Sequence, residues 1–158
     1  MTVLVHRIRE PAGEPQGALV LLHGRGVDEN DLHPLLDAFD PERRLLGLTP
    51  GAPITDVAPG GRHWYIIERV GHPNPETFLA TMEQTAAFVD ATLEQHGIAW
   101  EQTVLGGFSQ GGAIASALGL GEGRARPAGL LERSTFLPHV EGWPIDFSAR
   151  AGLPAYVA

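Results

Sequence analysis

Thr103-Val104-Leu105-Gly106-Gly107-Phe108-Ser109-Gln110-Gly111-Gly112 is the stretch on which the fold turns. Its first residues are β-branched and apolar, as a strand prefers, and residues 113–120 are apolar all round, as in a helix buried on every side. Between them, Gly107, Phe108, Ser109, Gln110 and Gly111 spell G-x-S-x-G at a strand-to-helix turn. So tight a turn strains the serine backbone and lifts its hydroxyl out of the sheet. A glycine two residues away on each side leaves room for the chain segments that cross there. The helix that begins at this point sets the positive end of its dipole where negative charge would develop. Ser109 is therefore read as a nucleophile. The plain alternative is a βα turn that happens to use glycine and serine, but Gly106 and Gly112 extend the small-residue run on both sides, as close packing of strand on helix demands. A phosphate-cradling loop does not fit, because the chain contains no lysine and so no Gly-Lys-Ser/Thr signature.

Working outward, residues 18–22 form a continuous apolar run that ends at His23-Gly24 and reads as a strand buried on both faces. The loop of residues 24–28 follows, then a short helix around Leu32, Leu35 and Leu36, with Asp31 as its expected N-cap. Residues 45–48 give another strand, stopped by Pro50-Gly51-Ala52-Pro53. From Asn74-Pro75 the period changes: Phe78, Leu79, Met82, Ala86, Val89 and Leu93 share one helical face, which Gly97 ends. Residues 129–131 open a further strand and residues 154–158 begin another. Strands alternating with helices over residues 1–158 predict a single α/β domain, a three-layer sandwich on a mainly parallel sheet, incomplete at its C-terminal edge.

Composition narrows the function. An apolar fraction of 43% with 19% charged residues is that of an ordinary globular chain. A formal net charge of −8 opposes binding to nucleic acid or anionic membranes. The absence of cysteine removes disulfides, thiolate metal sites and a cysteine nucleophile. No stretch reaches the roughly 18 apolar residues of a membrane span, and the first residues lack the pattern of a signal peptide, so a cytoplasmic location is expected. The histidines show no metal-binding spacing, and no metal is expected. An uncovered sheet edge is compatible with a homodimer.

A serine nucleophile needs two backbone N–H donors for the oxyanion, one from the residue after the serine and one from a loop beside it. The amides of Gln110 and Arg25 fit these places, with His23 and Gly24 shaping the loop and Gly107 and Gly111 the turn. For His23, fixing the loop by hydrogen bonding is favoured over acting as a general base.

Four blocks together carry a family resemblance: His23-Gly24-Arg25-Gly26 with Asp31-Leu32, Pro50-Gly51-Ala52-Pro53, Gly60-Gly61-Arg62-His63-Trp64-Tyr65, and Gly107-Phe108-Ser109-Gln110-Gly111-Gly112. They resemble the phospholipase/carboxylesterase family of α/β-hydrolases, which includes acyl-protein thioesterases. The resemblance implies an α/β-hydrolase fold and hydrolysis of a small-molecule acyl ester or thioester through an acyl-enzyme, without a cofactor. It also puts Trp64 and Tyr65 near the acyl pocket, where the competing reading is ordinary core aromatics.

The chain departs from that pattern. In the family the triad acid follows the strand that residues 154–157 open, and the histidine comes after one further strand, so both are expected beyond Ala158. Downstream of Ser109 only His139 is present, and Asp146 follows it, the reverse of the expected order. His6, His33, His63, His72 and His96 fall on elements read as surface. Glu132-Arg133 enters a strand expected to be buried, so the two side chains should pair or the strand should end early. The competing functional readings are an inactive hydrolase that binds a ligand or partner, and a gene remnant.

Overall fold

The computed structural model describes residues 3–158. Its centre is a six-stranded sheet built from β1 (His6–Arg9), β2 (Ala18–Leu22), β3 (Leu46–Pro50), β6 (Thr103–Phe108), β7 (Gly129–Arg133) and β8 (Ala155–Val157) in the order β1-β3-β2-β6-β7-β8. β1 runs antiparallel to β3, and every other pairing is parallel. A separate hairpin pairs β4 (Ile67–Arg69) with β5 (His72–Pro73). Among the described residues no helix is long and apolar enough to cross a membrane.

The layers follow from strand alternation. Ala18, Val20 and Leu22 of β2 join a core with α2 (Pro75–Gln95) and α3 (Gln110–Leu120), whereas Leu19 and Leu21 pack with Leu36 of α1 (His33–Phe39) on the other face. Every one of the 11 residues of α3 is buried, the polar Gln110 and Ser116 included, as a mostly apolar run demands. α2 begins where the sequence places it: the Asn74 side chain accepts from the Thr77 amide at 2.9 Å, and Pro75 occupies the first turn. Its inward face carries Phe78, Met82, Ala86, Val89 and Leu93, joined by Thr81, Thr85 and Thr92.

Three expectations need correction. α1 starts after Leu32, with no side-chain cap in place of the expected Asp31; upstream of it Asp28 makes an exposed turn, accepting from the Asn30 amide at 2.9 Å. His63 is buried rather than at the surface, its ring against the Gly60 carbonyl at 2.9 Å. Finally, β7 neither stops early nor pairs its charges. Glu132 points into the α3 side, while Arg133, one residue on, is exposed and lines a groove with Leu32, Leu35 and Phe39 on the α1 side.

Candidate active site

The turn between β6 and α3 has the geometry that the sequence demands. Ser109 has φ 53° and ψ −117°, a left-handed conformation that a residue with a side chain adopts only under constraint. The constraint is visible. The Ser109 amide donates to Arg133 O at 3.0 Å, and its carbonyl accepts from the Ala113 amide at 3.2 Å and from Thr135 Oγ1 at 2.7 Å. The flanking glycines are required by contact: a Cβ on Gly107 would collide with the backbone of Gly111, and one on Gly111 with the carbonyl oxygens of Leu22 and His23. The serine is left partly exposed at the carboxyl end of β6.

The loop after β2 is held from within. His23 is buried; its Nδ1 sits 2.7 Å from Gly24 O, and its Nε2 accepts from the Ala52 amide at 3.0 Å. That pair of bonds needs a neutral ring with the proton on Nδ1, and burial lowers the pKa of the imidazole in the same direction. Both ring nitrogens are thus occupied with backbone. Gly24 presses so closely on the ring of Phe108 that a side chain would not fit. Arg25 follows with an exposed side chain, and Gly26 ties back through its amide to Arg62 O at 2.9 Å. Among the described residues, neither the Arg25 amide nor the Gln110 amide donates to a protein acceptor.

The four blocks that are distant in sequence are joined by hydrogen bonds. Trp64 Nε1 donates to His23 O at 2.7 Å, and the Gln110 side chain bridges the third block, accepting from the Trp64 amide at 2.8 Å and donating to Tyr65 O at 2.7 Å. Arg62 reaches the second block, donating to Ala52 O at 3.1 Å, and lies 3.3 Å from the Glu29 carboxylate. Trp64 and Tyr65 are both buried in the core; Trp64 lines none of the serine's cavity, whereas Tyr65, packed against Phe78, also borders it. Burial pushes the Tyr65 phenol up to about 12, so its O–H keeps its proton at neutral pH.

Ser109, Gln110, Arg25 and Tyr65 line one cavity of about 340 Å³, closed by the β4–β5 hairpin on one side and by residues 134–136 on the other. The hairpin brings His72 to the rim of the cavity, exposed to solvent as the sequence leads one to expect. The signal for the hairpin was the short turn at Gly71, with φ 80°, soon after the Trp64-Tyr65 block. Thr135, which clamps the serine carbonyl, was missed. His139 is exposed and outside this cavity, and Asp146 turns to Ser148, whose hydroxyl and amide hold its carboxyl below the usual range. Among the described residues no carboxylate lines the serine's cavity and no cluster is suited to a metal ion.

A mostly parallel sheet with helices on both faces, bearing a strained serine at a strand-to-helix turn, defines an α/β-hydrolase fold. Residues 4–155 match the family model described as Phospholipase/Carboxylesterase, and the chain belongs to that family. Solved structures agree in fold. A carboxylesterase from Mesorhizobium loti superposes with a TM-score of 0.78 at 23% identity, over 96% of this chain and 69% of that one. The Bacillus cereus carboxylesterase gives 0.78 at 19% identity, over 98% and 84%. Acyl-protein thioesterase 2 from Zea mays gives 0.68 at 22%, over 97% and 74%.

Proposed function

We propose that this chain carries the nucleophilic site of a serine hydrolase acting on carboxylic esters or thioesters through an acyl-enzyme on Ser109. The observation that carries the reading is the strained Ser109 in a cavity shared with Arg25 and Gln110, whose amides are without protein acceptors. In this reading Ser109 Oγ attacks the acyl carbonyl and its proton passes to a base. The carbonyl oxygen, now negative, is taken by the two amides; the alcohol or thiol leaves with a proton, and water then releases the acid. Tyr65 would border the acyl group, while Trp64 would act from behind by holding the His23 carbonyl.

A second reading, a family member that binds acyl compounds without turning them over, is favoured because, among the described residues, no carboxylate lines the cavity that His72 borders. Loss of the histidine from a serine triad costs about a millionfold in turnover, leaving about a thousandfold over water. We therefore expect the 158-residue chain to hydrolyse p-nitrophenyl acetate barely above background. A fluorophosphonate probe should still label Ser109 slowly, and Ser109→Ala should abolish both signals. Labelling unchanged by Ser109→Ala would sink the nucleophile assignment. Brisk turnover lost in His72→Ala or His139→Ala would identify a base within the chain and reject the non-catalytic reading.

A further inference from the structure

A second chamber, of about 350 Å³, lies between the α3 side of the sheet and the segment leading from β7 to β8. Its walls are mainly apolar, with Leu120, Leu130, Phe136, Leu137, Leu153 and Val157 among them. Glu132 breaks the pattern: it is 4% exposed, and among the described residues its carboxyl has no charged partner, only the Ser116 hydroxyl beside it. Burial pushes its pKa up to about 8, against the opposing hydrogen bond of Ser116. The other groups around it are accounted for. α3 carries no charged residue, β8 contributes Ala155 and Val157, and Arg133 lies on the opposite face. Arg150, the one other charged residue lining the chamber, donates to Gly119 O at 2.7 Å, Arg124 O at 2.8 Å and Gly121 O at 3.3 Å.

We propose that this chamber binds a small primary amine with an aliphatic tail, its nitrogen paired with Glu132. The volume sits at the lower end of small-ligand pockets, and the mix of apolar wall with one polar anchor is typical of them. The anchor decides the head group. A metal ion would need several oxygen ligands, and the described residues offer no such cluster. Protonated Glu132 offers one donor and one acceptor, which an alcohol can also meet; what sets an amine apart is that it can take the proton and become an ammonium, with three N–H donors and the charge opposite to the carboxylate it leaves. The proton balance also favours an amine. A neutral carboxylic acid and a free amine form the pair by moving one proton from the Glu132 oxygen to the nitrogen, which adds no net charge to the chamber. Starting from the ammonium in water, binding to protonated Glu132 releases one proton. This site does not depend on Ser109 or on any hydrolase activity.

The test is a ligand-observed NMR titration of the full chain with n-pentylamine and with 1-pentanol at pH 6, 7 and 8. Amine affinity should rise about tenfold from pH 6 to 7 and level off above pH 8, while 1-pentanol binds at least about tenfold more weakly at pH 8 and without pH dependence. Glu132→Gln should remove the pH dependence and weaken the amine at least about tenfold; Ser109→Ala should leave it unchanged. Equal binding of amine and alcohol, pH-independent amine binding, or no binding of millimolar amine at pH 8 would overturn the proposal. So would a chamber filled by a second copy of the chain, seen as amine exclusion with a doubled mass in light scattering. The wild-type arms need no variant to fold.

Discussion

At the scale of single residues, Ser109 and Glu132 are the two places where this chain pays for something other than packing. Ser109 is held at φ 53° by three hydrogen bonds to its own peptide groups and by glycines that admit no side chain. Gly111→Ala forces a methyl into two carbonyl oxygens, and it should cost about 3 kcal/mol or more in urea unfolding as well as labelling at Ser109. Glu132 works differently. Its folded pKa of about 8 exceeds the 4.5 of a free glutamate, so the folded state keeps a proton that the unfolded chain gives up. The contribution of Glu132 to stability is then fully present below pH 4.5 and is lost as pH rises through that window to about 8. Glu132→Leu should abolish this decline and stabilise the protein by about 1–3 kcal/mol near pH 8, measured by denaturant midpoints across pH. The serine turn was legible in sequence because its demands are local. The Gln110 bridge was not: its partners, Trp64 and Tyr65, lie 46 and 45 residues away, a spacing that carries no local signal. Nor could the sequence show that Tyr65, a core residue like Trp64, also borders the serine's cavity, since that depends on tertiary contacts.

Among elements, those with a strong period were readable and those held by a few charges were not. α2 shows its apolar face and its cap in the sequence; Asn74→Ala should cost about 1 kcal/mol of stability in thermal or urea unfolding, because the Thr77 amide loses its acceptor. β1, by contrast, is four residues with two arginines, and nothing in His6-Arg7-Ile8-Arg9 announces a strand. It is fixed by Arg9, which is buried and meets Asp40 at 2.6 Å while donating to Leu36 O at 2.8 Å and Leu45 O at 2.7 Å. Burial opposes the charge on Asp40, but the amides of Leu45 and Arg44, together with Arg9, outweigh it and lower its pKa below 3.8. The contribution of this pair is therefore complete above pH 3.8 and is lost as pH falls through the lower folded value. Asp40→Ala removes the nearer of the two carboxylates that Arg9 meets, leaving Asp37 at 3.2 Å, and should cost about 1–3 kcal/mol by chemical denaturation. The β4–β5 hairpin was unreadable for another reason: its strands are of 3 and 2 residues and depend on the turn at Gly71.

On the scale of the whole molecule, the sheet order puts the serine strand near the middle and leaves β8 at one edge with all three residues exposed. The overall layering was legible, since alternation of strand and helix along the chain dictates it. The convergence of loops from four distant blocks was legible only through family resemblance, because hydrogen bonds across such separations leave no periodic trace. One consequence concerns Thr135 and Phe136, which line the serine's cavity on one side and the Glu132 chamber on the other. A partition two residues thick makes neighbours of two rooms that share no occupant. A guest that swells one must lean on the hydroxyl gripping the nucleophile's carbonyl, so the labelling rate of Ser109 becomes a gauge of what sits next door.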